Sequence, residues 1–359
     1  MSSRFKALFA IALCGSIRVA LGQWAVTNLH PAGAAESSIL GVSSGGQVGV
    51  AAISGSYHAV LWRGTAASWV DLHPAGPEES QANGLNGGNQ VGRVVIGGEL
   101  HAARWSESSE SWVSLNPAGS TESEAYGFSE GQQVGHSGFR ACLWRGSAAS
   151  HIDLHPIAAR WSLSYAAYAG QQVGWGDFDG APHAGLWTGS PESWIDLNPA
   201  GATWSRAHGV HDGQQVGWVI INEISRASVW TGTPASWIDM NPTGASQSFA
   251  MCVFAGRQAG FATIGGVHHA GVWSGTAASW EDLTVVLSGS WGETFAYGIW
   301  SDATTIYVGG YGRNNASGRI EALLWTRPVS AGCLSDLNGD GFVTGDDFDQ
   351  FIAAFEAGC

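Results

Sequence analysis

The sequence predicts an all-β fold: a seven-bladed β-propeller of four-stranded blades closed by an N-terminal strand, followed by a small C-terminal α-helical calcium-loop segment. Three observations carry this prediction. A tryptophan motif recurs seven times, each repeat holds four strand-like segments, and an acidic segment with calcium-ligand spacing follows the last repeat. The domain organisation expected from these features is a signal peptide over 1–22, the propeller over 23–328 and the calcium-binding segment over 329–359.

The recurring tryptophan motif is Ala-x-x-Trp, and its spacing sets the length of the repeat. Its tryptophans are Trp62, Trp105, Trp144, Trp187, Trp230, Trp273 and Trp325. Successive intervals are 39 or 43 residues, except for the last, which is 52. A propeller blade takes roughly 40–45 residues, so each repeat has the size of one blade.

Each repeat contains four short segments whose composition suits β-strands. We name them strand a (Ser-x-Ala-x-Gly), strand b (Gln-Val-Gly), strand c (Ala-x-x-Trp) and strand d (Trp-x-Asp-Leu). Gly, Asn-Pro-Ala-Gly or Ser-rich segments separate them, and the 3.6-residue period of a helix is not visible. The small residues of strand a predict that it lies innermost, because the strands of a propeller converge on the axis.

The two ends of the repeat array predict how the ring closes. The last repeat stops after strand c at Trp325, and residues 24–29 look like an isolated strand d. Pairing of this segment with the strand around Trp325 removes both unpaired edges. The alternative, a linear stack of repeats, leaves both edges exposed and normally needs capping units.

The N-terminus has the layout of a secretory signal peptide. Basic Arg4 and Lys6 precede an apolar run, and small residues come just before Gln23. A buried N-terminal segment is the alternative, because Arg18 lies close to the cleavage point. No later apolar stretch reaches the roughly 18–20 residues of a membrane-spanning helix. We therefore expect a secreted, extracellular protein without a transmembrane segment.

The charge of the chain excludes several functional classes. It has 29 acidic against 15 basic residues, a formal net charge of −14, and its only lysine is Lys6, inside the expected leader. Binding to nucleic acid, which needs clustered Lys and Arg, is not expected. A lysine Schiff base or a P-loop lysine is excluded for the mature chain.

The acidic segment after the last repeat predicts a site for one Ca²⁺ ion. Oxygen ligands are spaced as in an EF-hand loop, with Gly341 at the sharp turn. The expected ligands are Asp336, Asn338, Asp340, the carbonyl of Phe342, Thr344 and Asp347. A helix with Phe348, Phe351, Ile352 and Phe355 on one face is expected to follow. An acidic solvated tail, the alternative, does not explain this helix.

The cysteines fall into two predicted classes. Cys333 and Cys359 bracket the calcium segment, and an exported domain too small for its own core favours a disulfide between them. Cys142 on strand c and Cys252 on strand a of another blade are expected to be buried, unpaired and unreactive.

Two segments of the chain resemble known families. The repeat resembles the HAF-type bacterial extracellular repeat over roughly residues 24–327. The resemblance lies in the order of three motifs: Gln-Val-Gly, then His-Ala-x-Leu-Trp as in 58–62, then an Asp-Leu strand. The sequence departs from this pattern where Arg140, Arg226 and Glu321 replace the His. The resemblance implies secretion and a propeller-like fold, and it implies no reaction.

The calcium loop is similar to the type I dockerin loop of secreted polysaccharide-degrading systems, because Asp347 stands where an EF-hand usually has Glu. Dockerins normally carry two such loops, and this chain has one. The resemblance implies a cohesin-like or cell-surface partner, although cohesin binding is usually inferred from the pair of loops.

A catalytic group should break the repeat, because chemistry happens once while the architecture happens seven times. This criterion assigns structural hydrogen bonds, rather than metal binding, to the repeated histidines and aspartates. The positions concerned are His58, His101, His183 and His269 on strand c and Asp71, Asp153, Asp196, Asp239 and Asp282 on strand d.

Four tryptophans break the repeat in adjacent units and are the candidate ligand-binding residues: Trp161, Trp175, Trp204 and Trp218. The start of strand a and the end of strand b lie toward one face of a blade, so these indoles are expected to form an exposed patch near Asp177, Asp179 and His208. Indole faces beside carboxylates hold sugars. The alternative is that the indoles pack between blades.

Two functional classes follow. The first is a non-catalytic secreted binding or scaffold protein, whose propeller displays a surface for a ligand such as extracellular polysaccharide and whose calcium segment docks it. The second is a propeller enzyme acting on polysaccharide, a glycoside hydrolase or lyase, which needs a lone pair of carboxylates. Asp177 with Asp179 or Glu223 is the candidate pair, and no catalytic residue is assigned.

Overall fold

The computed structural model describes residues 23–329, 348–350 and 352. Residues 24–329 form one compact unit, and residues 348–350 and 352 are helical. The expected signal peptide (1–22) and the expected calcium loop (336–347) lie outside the described residues.

The compact unit contains seven four-stranded antiparallel sheets. The predicted seven-bladed β-propeller is therefore confirmed. Strand β1 (Ala25–Asn28) comes first in the chain. Blade one consists of β2 (Ser37–Ser43), β3 (Gly46–Ile53), β4 (Ser56–Trp62) and β5 (Val70–Asp71). Blade two consists of β6 (Glu79–Asn86), β7 (Asn89–Ile96), β8 (Glu99–Trp105) and β9 (Val113–Ser114). Blade three consists of β10 (Ser123–Ser129), β11 (Gln132–Ser137), β12 (Arg140–Trp144) and β13 (Ile152–Asp153).

The remaining blades follow the same order of strands a to d. Blade four consists of β14 (Ser162–Tyr168), β15 (Gln171–Phe178), β16 (Ala181–Trp187) and β17 (Ile195–Asp196). Blade five consists of β18 (Trp204–His211), β19 (Gln214–Ile221), β20 (Ile224–Trp230) and β21 (Ile238–Asp239). Blade six consists of β22 (Gln247–Phe254), β23 (Arg257–Ile264), β24 (Val267–Trp273) and β25 (Glu281–Asp282). Blade seven contains β26 (Trp291–Ser301), β27 (Thr305–Asn314), β28 (Arg319–Pro328) and β1.

One-turn 3₁₀ helices connect strands c and d in the first six blades, and one more follows β25. They are Ala66–Ser68, Ser109–Ser111, Ala148–Ser150, Pro191–Ser193, Pro234–Ser236, Ala277–Ser279 and Leu283–Val286.

The core of the ring lies between neighbouring blades. The tryptophan that ends strand c is at most 1% exposed in every blade. It packs against strands b and c of the preceding blade, as Trp187 does against Val134 and Leu143. Trp62 of blade one packs in the same way against Leu324 of blade seven. The repeated Trp is thus the side chain that joins each blade to the one before it around the whole ring.

A repeated hydroxyl also links neighbouring blades, and we call this arrangement the serine latch. The hydroxyl of Ser205 at the start of strand a accepts a hydrogen bond from the amide of Ala184 in the preceding blade, at 2.9 Å. The same bond occurs in all seven blades, with Thr294 in place of Ser in blade seven. In six blades the hydroxyl also bonds a His or Asn seven residues earlier, as Ser205 does Asn198 at 2.6 Å.

Two residues of the Gln-Val-Gly motif of strand b, the glutamine and the glycine, are required by the backbone around them. The side-chain oxygen of Gln172 accepts a hydrogen bond from the amide of Gly189, in the turn after strand c, at 2.8 Å. Six blades carry this bond. The glycine is required because strand a bulges toward it: a Cβ on Gly135 would collide with the carbonyl oxygen of Glu124.

Strand β1 lies at the outer edge of blade seven. It pairs antiparallel with β28, with Val26 opposite Trp325. His30, just after β1, bonds Ser37 at 2.8 Å, and Ser37 accepts from the amide of Ala322. These are the contacts that strand d and the residues after it make in blades one to five.

Candidate functional site

Seven cross-strand pairs ring the upper face of the propeller, which we define as the face that carries the hairpins between strands b and c. Each pair joins the residue after the latch Ser or Thr in strand a to the residue after the glycine of strand b. The pairs are Ser38 with Val50, Gln81 with Arg93, Glu124 with His136, Leu163 with Trp175, Arg206 with Trp218, Phe249 with Phe261, and Phe295 with Tyr311. No two have the same composition, although the pairs of blades six and seven are both aromatic, and the positions around them repeat.

A central channel of about 440 Å³ runs along the inner strands. In each blade the bulge of strand a turns one residue toward it, and this position also varies: Leu40, Asn83, Tyr126, Tyr165, His208, Met251 and Tyr297. The seven bulge positions therefore surround one opening, with the polar Asn83 in blade two and aromatic or imidazole rings in blades three, four, five and seven.

The polar side of the opening contains a buried carboxylate. Glu124 is 5% exposed and pairs with Arg93 at 3.2 Å. It also accepts hydrogen bonds from Asn83 at 2.8 Å and from the hydroxyl of Tyr126 at 3.2 Å. Burial and the nearby Glu124 charge raise the pKa of Tyr126. Burial lowers the pKa of the adjacent His136, which is neutral at physiological pH.

The four candidate tryptophans occupy two environments. Trp161 and Trp204 are 43% and 44% exposed. Trp175 is buried and Trp218 is half-buried. The expectation of four exposed indoles is thus met by two, because the residue that follows the glycine of strand b points toward strand a of the next blade.

Arg206 connects the two inner indoles. Its guanidinium lies 4.6 Å above the ring of Trp175 and 5.6 Å above that of Trp218, within the range of cation–π contacts. The indole nitrogen of Trp175 donates to the hydroxyl of Tyr165 at 3.1 Å. These contacts fix the guanidinium plane at the upper face.

His208 lies beneath these indoles. It stacks on Tyr165 with ring centres 4.5 Å apart and accepts a hydrogen bond from the indole of Trp218 at 3.2 Å. Burial and the charge of Arg206 lower its pKa to about 3. His208 is therefore neutral and positions Trp218.

A cleft of about 570 Å³ opens on the upper face between blades three and four. Trp161, Trp175, Tyr126 and Tyr165 line it together with the charged side chains of Glu122, Glu124 and Arg206. Sequence reasoning missed Glu124, Tyr126, Phe139 and Arg206 as site residues. The test that selected the tryptophans, a break in the repeat, applies equally to these four positions.

Three of the four repeated histidines make the predicted hydrogen bonds between strands c and d. His101 makes none, because blade two has Ser114 in place of the aspartate. The imidazole of His58 bonds Asp71 at 2.9 Å, and the same bond at 2.7 Å joins His183 to Asp196 and His269 to Asp282. Arg140 and Arg226, which replace the histidine in two blades, pair with the same aspartate position. His and Arg on strand c thus contact the same aspartate position of strand d.

The candidate carboxylates for catalysis have turn functions. Asp177 is 5% exposed and accepts a hydrogen bond from the amide of Gly180 at 2.8 Å. Asp179 and Glu223 have φ of 56° and 65° in the hairpins between strands b and c. None of the three lines the cleft or the channel. Within residues 23–329, moreover, no three His, Cys, Asp or Glu side chains are grouped to hold a metal ion.

The predicted calcium ligands Asp336, Asn338, Asp340, Phe342, Thr344 and Asp347, and the predicted disulfide partners Cys333 and Cys359, lie outside the described residues.

Cys142 is buried and unpaired, as predicted. Cys252 is also unpaired but only half-buried, so the prediction of its burial is wrong: strand a borders the channel there. Burial raises the pKa of the Cys142 thiol and raises that of Cys252 to about 12, which leaves both thiols protonated and unreactive.

No protein-family model and no curated protein matches the chain. Among solved structures, the fold is similar to that of puromycin hydrolase, with a TM-score of 0.53 and 12% identity over 79% of this chain and 53% of that one. The chain thus spans about half the length of that protein. TolB from Acinetobacter baumannii has a TM-score of 0.42 and 9% identity over 86% of this chain and 80% of that one. In the part of the chain that the structure describes, no helix has the length and apolar character to cross a bilayer. The likeness to puromycin hydrolase shows the fold alone.

Proposed function

We propose that this protein is a secreted, non-catalytic binding protein of the HAF-repeat type, whose propeller displays a carbohydrate-binding surface on its upper face. The observation that carries the proposal is that the seven cross-strand pairs of the upper face differ in composition while the residues around them repeat. Side chains that the frame does not need are free to serve a ligand. The four candidate tryptophans lie around this face. Trp175 and Trp218 stack on Arg206, and the exposed Trp161 supplies a flat apolar surface for a sugar ring.

The propeller-enzyme alternative is not the one we propose. It needs two carboxylates that face a shared space, and Asp177, Asp179 and Glu223 instead form hairpin turns. Glu124 is engaged by Arg93, Asn83 and Tyr126.

A glycan-array screen of the mature chain (residues 23–359) tests the binding proposal. We expect retention of a defined set of polysaccharide fragments, without release of shortened products on prolonged incubation. Failure to retain any glycan, or turnover of a retained one, contradicts the proposal.

We further propose that the C-terminal segment binds one Ca²⁺ through Asp336, Asn338, Asp340, the Phe342 carbonyl, Thr344 and Asp347, and that it docks the propeller to a cohesin-like or cell-surface protein. Three carboxylates repel one another in an empty loop, so binding should be coupled to folding of the helix that includes residues 348–350. Calorimetric titration of the mature chain should show one site of roughly micromolar to millimolar affinity, and Asp340→Ala should abolish it. Equal heats from both proteins would contradict the assignment.

We also propose that β1 closes the ring in the native protein. The pairing of Val26 with Trp325 and the bond of His30 to Ser37 support this role.

A further inference from the structure

The cleft between blades three and four has a wall that the other blades lack. Phe139 stands in the hairpin between strands b and c, is 51% exposed and has φ of 59°. Four other blades have glycine at this position: Gly55, Gly98, Gly180 and Gly266. A bulky residue rarely adopts this backbone conformation, and strain of this kind is typically found at functional sites. Glu223 of blade five also occupies this position, with φ of 65°, so Phe139 is distinguished as the bulky aromatic residue at a strained position.

We infer that this cleft is the primary saccharide subsite and that it takes an uncharged sugar ring between Phe139 and Trp161. The inference rests on the proposed carbohydrate-binding function and narrows it from four indoles to one cleft. Phe139 and Trp161 are joined through the backbone, because the amide of Ser162 donates to the Phe139 carbonyl at 2.9 Å. The two exposed rings therefore border the same space from adjacent blades.

Trp161 is held with one face covered. The guanidinium of Arg160 lies 4.2 Å from the centre of its ring, and Arg160 is not among the residues that line the cleft. The opposite face of the indole therefore faces the cleft. A ring that is already immobilised loses little conformational entropy when a ligand stacks on it.

The cleft also contains oriented polar groups for the edge of a sugar. Arg206 stacks on Trp175 at 4.6 Å, and its Nε is buried without a hydrogen-bond partner. Stacking holds the guanidinium plane, so its outer N–H groups keep a fixed direction toward sugar hydroxyls. Aromatic walls and a polar base together match a pyranose ring, which has apolar faces and a hydroxyl edge.

The charges of the cleft balance, and this selects the class of sugar. Arg93 pairs with Glu124 at 3.2 Å, which leaves Glu122 and Arg206 with one charge of each sign. His136 is neutral. A uronate or an amino sugar would leave the cleft with a net charge, and burying a net charge is costly. A neutral hexose or pentose brings none.

The test compares neutral, uronate-containing and glucosamine-containing oligosaccharides of equal length, titrated into the mature chain and into matched variants. Phe139→Gly restores the residue of four other blades, so it should fold at least as well as the parent protein. We expect it to weaken binding of the neutral probe at least tenfold. Trp161→Ala should do the same, and Trp161→Phe should retain most of the affinity. The matched control is Trp204→Ala, an equally exposed indole at the same register of the next blade, which does not line the cleft; it should change affinity less than twofold.

The outcomes separate the inference from the proposed function. Equal losses in Trp161→Ala and Trp204→Ala, or unchanged binding in Phe139→Gly, overturn the cleft assignment while the protein remains a glycan binder. Preference for a charged probe overturns the choice of sugar class. Absence of binding to every probe overturns the proposed function, and this inference with it.

Discussion

The serine latches and the upper-face pairs lie within a few residues of each other in every blade. They differ in how much the residue type varies from one blade to the next. The latch keeps a hydroxyl in all seven blades, from Ser37 to Thr294. The next residue along strand a ranges from Ser38 to Glu124, Arg206 and Phe295. The latch hydroxyl is buried and satisfies an amide of the neighbouring blade, whereas the following side chain lies opposite its cross-strand partner on strand b. Position relative to the blade interface, rather than distance along the chain, decides which positions keep the same type of residue in every blade.

The largest expected effect concerns closure of the frame. Deleting residues 23–33 removes β1 with the fully buried Leu29, and it exposes the edge of β28. We expect a sharp fall in the thermal midpoint, measured by calorimetry. A graded version is Leu29→Ala, which should cost about 2–5 kcal/mol, against Thr27→Ala on the exposed side of the same strand, which should stay within about 0.5 kcal/mol. Unchanged melting after the deletion would mean that β1 does not close the ring.

A latch variant should have the next largest effect. Ser205→Ala leaves the amide of Ala184 and the side-chain oxygen of Asn198 without their partner in a fully buried site. We expect a loss of about 1–3 kcal/mol in the free energy of unfolding, measured by denaturant titration. The exposed Ser274 provides the control, since Ser274→Ala should be neutral. Equal stability of the two variants would show that the Trp cores alone hold neighbouring blades together.

The latch also predicts a dependence on pH. His155 bonds Ser162 at 2.7 Å and the Ala159 carbonyl at 2.9 Å, and burial, assisted by Arg140 and opposed by Asp153, lowers its pKa. The unfolded chain therefore binds the proton first as pH falls below about 6.5, and folding stability decreases there by at most about 1.4 kcal/mol per pH unit. Above that pH the group contributes no pH dependence.

His155→Asn should remove part of this acid sensitivity without loss of stability at neutral pH. Asn116 makes the same two bonds in blade three, to Ser123 and to the Ser120 carbonyl. The converse variant, Asn116→His, should add acid sensitivity. Unfolding curves between pH 5 and 8 measure both, and parallel pH profiles for all three proteins would refute the assignment.

The smallest expected effect on stability belongs to the upper face. Trp204→Ala removes a side chain that is 44% exposed and should cost less than about 1 kcal/mol. Trp230→Ala, in the same blade but fully buried, should cost about 3–5 kcal/mol. Thermal melts of the two variants show whether side chains of the upper face contribute to the stability of the propeller as the buried tryptophans do. Comparable losses would show that the face is part of the frame.

Much of the fold follows from sequence because the determinants are local and repeated. Trp187 and its six equivalents marked strand c and the core, and the fixed interval between them gave the blade count. The histidine–aspartate bonds, as between His183 and Asp196, were predictable because both residues recur at a constant separation of 13. The half-burial of Cys252 could not be predicted from the sequence, because the exposure of a residue on strand a depends on the width of the channel.

The sequence by itself determined that Trp161 and Trp204 occupy equivalent positions and that both break the repeat. Only the tertiary structure decided that Trp161 lines the cleft between blades three and four and that Trp204 does not. Trp161 lies beside Phe139 of the preceding blade, and the hairpin equivalent to Phe139 before Trp204 carries Gly180. The physical reason is that a cleft between blades is formed by residues of two repeats. Its shape and charge depend on which side chains the ring brings together, and spacing along one strand does not specify that.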